Sequence, residues 1–173
     1  FADSGGSVPT KANVQTWRLN LSYLPTDNLT MFVSAATGFR PGIVQSRVQV
    51  QSLALAGVPA SVALSPESST NYEFGLKWRN PDRSLNVGLN LYLLQYTNLQ
   101  TSVTGGINSV NGFANFGDAT TKGVDLEVHW DTPLTGLNLG FVGNFNDSKY
   151  DSVNSVIAAA QPLLRPGARL LNT

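Results

Sequence analysis

Apolar and polar residues alternate with period two over six stretches of this chain, the pattern of strands whose two faces meet different surroundings. The stretches run roughly over residues 13–23, 29–37, 70–79, 85–96, 123–130 and 137–150. One face reads Gln15, Trp17, Leu19, Leu21, Tyr23, then Leu29, Met31, Val33, Ala35, then Tyr72, Phe74, Leu76, Trp78. It continues through Leu85, Val87, Leu89, Leu91, Leu93, through Val124, Leu126, Val128, Trp130, and through Leu137, Leu139, Phe141, Gly143, Phe145. Only Gln15 and Gly143 in that series are not apolar. The opposite face carries Arg18, Asn71, Glu73, Lys77, Arg79, Asn90, Asp125, Glu127, His129 and Asn144, and the alternation assigns every strand charge to it.

Several stretches exceed the usual strand length and match the nine to eleven residues of a tilted membrane-crossing strand. The connections alternate as well: short at 24–28, 80–84 and 132–136, long at 38–69, 97–122 and 151–173. Each short one follows an aromatic residue and contains Pro25, Pro81 or Pro133. Proline presets φ and offers no ladder donor, which suits a tight turn. Tyr23, Trp78 and Trp130 are thereby predicted at one height beside the turns, as the aromatic girdle of a transmembrane barrel. The long connections have room for further hairpins or short helices.

Composition removes several classes of function. Eleven basic and 11 acidic residues give zero formal charge, so no basic footprint for nucleic acid exists. Cysteine is absent, which excludes disulfides, thiolate metal sites and a cysteine nucleophile. With a single histidine, no multi-histidine metal site can form within the chain. No apolar run approaches the roughly 18 residues of a membrane helix; the longest, 53–64, contains Pro59. No Gly-x-Ser-x-Gly elbow occurs, and Gly5-Gly6 and Gly105-Gly106 lack the strand-to-helix setting of a phosphate cradle. A soluble antiparallel sandwich shares the alternation, but its wet face is usually rich in Lys and Glu, whereas this one is mostly Asn, Ser, Gly and Thr.

A series of short motifs carries a resemblance. They are Thr37-Gly38-Phe39-Arg40-Pro41-Gly42; Leu64-Ser65-Pro66-Glu67 followed by Asn71-Tyr72-Glu73-Phe74-Gly75-Leu76-Lys77; and Asn90-Leu91-Tyr92 with Tyr96-Thr97-Asn98-Leu99-Gln100. Asn115, Gly117 and Ala119 lead to Lys122-Gly123-Val124-Asp125-Leu126-Glu127; then come Gly136-Leu137-Asn138-Leu139, Asp147-Ser148-Lys149-Tyr150 and the tail 166–173. In this order they resemble the barrel of TonB-dependent outer-membrane receptors, from about residue 13 to the end. Gln95, where the family usually has Asp, and the unmatched 43–63 loop depart from it.

The resemblance implies an all-β fold: about six strands of an antiparallel transmembrane barrel of about 22 strands with a plugged lumen. Residues 1–173 would form part of one barrel domain, with the plug, the energy-coupling box and the final strands outside the chain. It implies a transporter rather than an enzyme, in the bacterial outer membrane, using no cofactor. Its partners would be outer-membrane lipid, a scarce ligand such as a ferric siderophore, and TonB through the plug. A passive porin and a secreted β-sandwich binding module are the alternatives.

Five polar residues, Glu73, Lys77, Asp125, Glu127 and His129, are expected to face the lumen. Asp125, Glu127 and His129 also invite a metal or acid–base reading, but any inward strand of a polar lumen looks the same and no second histidine completes a site. Arg40 and Arg47 lie in or near a long loop, where guanidinium groups suit the carboxylates of an anionic chelate.

Overall fold

The computed structural model describes residues 14–55, 57–58, 60–105, 110–160 and 163–170. Asn13, the Gly5-Gly6 pair, Gly106, Pro59 and the end of the tail motif lie outside the described residues. Six strands form the wall: β1 (Arg18–Thr26), β2 (Leu29–Arg40), β3 (Glu67–Arg79), β4 (Leu85–Thr97), β7 (Ala119–Asp131) and β8 (Asn138–Tyr150). They lie in the order β1-β2-β3-β4-β7-β8, each neighbour antiparallel.

The long connections are built up. A helix, α1 (Arg47–Leu55), follows β2; a second hairpin, β5 (Gln100–Gly105) with β6 (Val110–Asn115), rises between β4 and β7; and α2 (Ser155–Ala160) follows β8. The hairpin leaves the wall through a kink at Asn98 and Gly117, whose φ values are 56° and 137°. A Cβ on Gly117 would stand 2.2 Å from the Ser152 carbonyl oxygen, so this position needs glycine. Helix α1 opens on a reciprocal cap: the Gln49 amide donates to Ser46 Oγ (3.2 Å) and the Ser46 amide donates to Gln49 Oε1 (2.9 Å).

Two turns match the sequence reading. In 80–84, Asn80 Oδ1 accepts the Leu85 amide (2.9 Å) and Asp82 Oδ1 accepts that of Ser84 (3.2 Å). In 132–136 the Thr132 hydroxyl donates to the Leu137 carbonyl (2.8 Å), and Leu137 precedes β8 rather than opening it. The first connection differs. β1 runs through Pro25 to Thr26, and only Asp27 and Asn28 turn, because the ladder shifts register between Tyr23 and Thr26. A proline that cannot donate to the ladder is accommodated in such an irregularity.

The buried core is not under the sheet. It consists of Leu53, Val58, Ala114, Phe116, Ala119, Tyr150, Ile157 and Leu164, gathered where α1, the β5–β6 hairpin and α2 meet the end of the wall. The sheet's own apolar residues are largely open: Leu19 is 68% exposed, Tyr23 65% and Phe145 75%. Among the described residues no second sheet covers them, which removes the partner a β-sandwich requires.

Candidate functional site: a two-faced wall and its latched cap

Cross-strand partners share a face of the sheet, so the register settles which residues stand together. One row runs Leu21, Val33, Phe74, Leu91, Val124, Phe145; the next runs Tyr23, Met31, Leu76, Leu89, Leu126, Gly143. The apolar face is therefore continuous across all six strands. In β4 it extends from Leu85 to Leu93, about 27 Å along the strand and about 21 Å along the normal at the tilt usual for barrels. That height approaches the apolar band of outer-membrane barrels.

The three turn-side aromatics do not share a register row. Tyr23 is level with Leu76, and Trp78 lies two residues beyond it; Trp78 is level with Val128, and Trp130 lies two residues beyond that. The line through them thus drops by one residue for each strand crossed. With about 3.4 Å per residue and about 4.8 Å per strand, it is horizontal when the strands tilt by about 35°. Barrel strands tilt by that amount.

Alternation misplaces two charges, Asp147 and Lys149, and a third, Lys122, just before the predicted 123–130 stretch, joins them. Lys122 lies opposite Leu93 and Asp147, and Lys149 follows two residues after Asp147. All three belong to the same side of the sheet as the apolar residues, at its long-loop end. The physical reason is depth: alternation demands an apolar side chain only where that face meets hydrocarbon, and these positions lie beyond Val124 and Phe145.

The other face is polar and internally bonded. Glu73 accepts from Ser34 Oγ (3.1 Å) on β2 and from Asn71 Nδ2 (2.7 Å). Asp125 accepts from Asn144 Nδ2 (2.6 Å), and His129 Nε2 stands 3.2 Å from Asp131 Oδ1. Lys77, Glu127 and His129 line a concavity of about 250 Å³ near the short turns, together with Asp27 and Arg79. Glu73, Lys77, Asp125, Glu127 and His129 therefore share this face, distributed over two strands. Among the described residues no three His, Cys, Asp or Glu side chains gather to hold a metal ion.

At the long-loop end, motif residues distant in sequence converge. Arg40 Nη2 lies 3.1 Å from Glu67 Oε2 and donates to the Gln100 carbonyl at 2.6 Å. The Gln100 amide donates to the same Glu67 oxygen (2.7 Å), and Gln100 Nε2 donates to the carbonyls of Pro41 (3.1 Å) and Ser65 (3.0 Å). Asn115 Nδ2 donates to Ser65 O (3.0 Å) and Asn98 O (2.8 Å), while its Oδ1 accepts the Ser65 amide (3.0 Å). Gln45 adds donors to Ser61 O (2.8 Å) and Phe113 O (2.9 Å). This latch ties the α1 loop and the β5–β6 hairpin to the wall.

Arg40 and Arg47 are not brought together. Arg40 is committed to the latch, and Arg47 is exposed on the first turn of α1. The sequence reading missed the latch, whose members were quoted as separate motifs, and α1 itself. The signal for α1 was Ser46-Arg47-Val48-Gln49, the spacing of a capping box.

An antiparallel sheet with one unbroken apolar face, a polar reverse, short turns at one end and folded loops at the other is a section of transmembrane β-barrel wall. Residues 2–169 match the family described as TonB dependent receptor-like, beta-barrel, and the chain belongs to that family. It is accordingly a bacterial outer-membrane receptor segment, and the wall does not close on itself. Two solved structures are similar. One is the alcaligin outer membrane receptor FauA from Bordetella pertussis, at 24% identity and TM-score 0.52, covering 80% of this chain and 23% of that one. The other is the ferric yersiniabactin uptake receptor FyuA from Yersinia pestis, at 21% identity and TM-score 0.56, covering 77% and 18%. At these identities the likeness is one of fold. The chain spans less than a quarter of either receptor's length. No curated protein sequence matches it.

Proposed function

We propose that this chain is part of the single barrel domain of an active-uptake receptor that carries a ferric siderophore inward with energy supplied by TonB. The observation that carries the reading is the pairing of a lipid-compatible wall with a cap held in place by a partly buried polar latch. A passive pore gains nothing from a rigidly mounted external cap, whereas a receptor needs its loops pre-positioned to meet ligand. The names of FauA and FyuA, both receptors for iron chelates or their siderophores, favour that ligand class.

In this reading Tyr23, Trp78 and Trp130 sit at the periplasmic interface, and Glu73, Lys77, Asp125, Glu127 and His129 face the plugged lumen. Arg47 is the better placed of the two loop arginines to meet an anionic chelate, because the Arg40 guanidinium is already engaged. TonB would act through a plug domain, not through these strands. No bond is made or broken by the wall, so the protein is a transporter.

The test is uptake of iron-55 bound to a panel of siderophores by iron-starved cells carrying the complete receptor. Accumulation that disappears without TonB is the expected result. Uptake that persists after the proton-motive force is collapsed would replace this reading with a passive pore.

A further inference from the structure

The misplaced charges on the apolar side form a group. Lys122 and Asp147 are direct cross-strand partners, and Lys149 Nζ lies 2.7 Å from Asp147 Oδ2. Lys149 in turn forms an isolated antiparallel bridge with Arg169, which puts Arg169 on the same side of the sheet. Asp147 feels all three cations electrostatically. A second acid, Asp151, accepts from the Thr120 hydroxyl (2.5 Å) beside Lys149, so three cations face two carboxylates. Lys122 and Arg169 are exposed, and neither has an ion-pair partner within 4.0 Å among the described residues. Their backbones are about 12 Å apart, two strand spacings and two residues of rise. Both side chains can reach one intervening group.

Position gives the group its meaning. The cations begin one outward step beyond Val124, the last apolar residue of β7 on that face, and at the long-loop end. On a barrel exterior this is the layer where hydrocarbon gives way to headgroups of the external leaflet. Unpaired cations there gain most from anionic headgroups. Level with Lys149 the neighbouring strands offer the neutral Thr120, Gln95 and Thr70, and level with Lys122 they offer Leu93 and Tyr72.

We propose that Lys122 and Arg169, with Lys149 between them, bind a phosphate-bearing lipid headgroup of the external leaflet. The inference rests on the outer-membrane barrel assignment and is independent of the transported ligand. The complete receptor, extracted from outer membranes in mild detergent, is loaded with bis-phosphorylated lipid A and examined by native mass spectrometry. Heat-modifiable gel mobility checks that each variant is folded. Lys122→Gln and Arg169→Gln should each lower lipid retention about fivefold, and the pair about 25-fold. Lys122→Arg should retain the lipid, and Asp147→Asn should raise retention. Equal retention by wild type and the double variant, or equal binding of dephosphorylated lipid A, overturns the proposal. Displacement by millimolar inorganic phosphate overturns the lipid as the source of the anion. A receptor that does not fractionate with the outer membrane would instead refute the barrel assignment.

Discussion

Removing Arg40 should loosen the cap without disturbing the wall. Arg40→Ala deletes the 3.1 Å contact to Glu67 and the 2.6 Å hydrogen bond to the Gln100 carbonyl. The Glu67 carboxylate, whose side chain is 12% exposed, then keeps, among the described residues, the Gln100 amide at 2.7 Å alone. Breaking a fully buried pair costs about 3–5 kcal/mol, and an exposed pair is worth about 0–1 kcal/mol. The Arg40 side chain is 46% exposed, so the cost lies between, at about 2 kcal/mol. That corresponds to about 30-fold in the opening equilibrium of the cap. Hydrogen exchange of the complete receptor in nanodiscs reads it at the Gln100 amide, the donor to Glu67. Protection there should fall about 30-fold in Arg40→Ala and less in Arg40→Lys, while amides in mid-wall such as Leu89 and Leu126 stay unchanged. In a double-mutant cycle, Arg40→Ala and Glu67→Gln should couple by about 1–2 kcal/mol. A change of less than about twofold at Gln100, with no coupling, would refute the latch.

Four further expectations can be checked. Residues 1–173 alone should not remain monomeric in water, because among the described residues the β1 edge, most of the β8 edge and the apolar face are uncovered; a sharp melting transition and a monomeric sedimentation profile without detergent would count against this. Phe141→Arg should lower barrel stability by about 2–4 kcal/mol while its neighbour Val142→Arg, on the opposite face, costs far less; equal costs in detergent unfolding would mean that the faces are misassigned. Gly117→Ala should cost about 2–4 kcal/mol, since φ of 137° and the Ser152 carbonyl at 2.2 Å both oppose a side chain; thermal unfolding near wild type would contradict it. Hydrogen bonds from the Ser84 amide and hydroxyl hold the Asp82 carboxyl below its ordinary value. The turn's contribution is therefore present above the unfolded-state value and lost as pH falls through the folded one. Asp82→Asn should flatten that part of the acid unfolding profile.

Wall strands were legible in sequence because each residue's side is dictated by a sharp physical difference between lipid and polar interior. Leu89, Leu91, Val124 and Leu126 could not trade sides with Asn90 and Asp125. Parity stops being informative where that difference ends. At Lys122, Asp147 and Lys149 the apolar side has already left hydrocarbon, and parity no longer predicts polarity. The first strand was read too early, from residue 13 where β1 begins at Arg18, whereas the ends at the latch were read short: β2 continues through Arg40, and β3 begins at Glu67, because the pair Arg40–Glu67 closes the ladder there. The latch was visible only as isolated motifs, since its hydrogen bonds join residues 40, 67, 100 and 115, a convergence that periodicity cannot express. Gly42 illustrates the point: a Cβ there would sit 2.1 Å from the Leu64 carbonyl oxygen, a close approach between two loops.

The descending line of Tyr23, Trp78 and Trp130 also sets a girth. A stagger of one residue per strand, continued around a ring of about 22 strands, closes only when the strands have slipped by about 22 residues in total. At about 4.8 Å between strands and a 35° slope, such a ring has a circumference of about 130 Å and a backbone diameter of about 40 Å. A hole of that width would leak every small solute across the membrane. Under the proposed reading, such a ring would be filled by a plug, and the hydrogen-bonded polar surface around Glu73 and Asp125 would be the face that meets it.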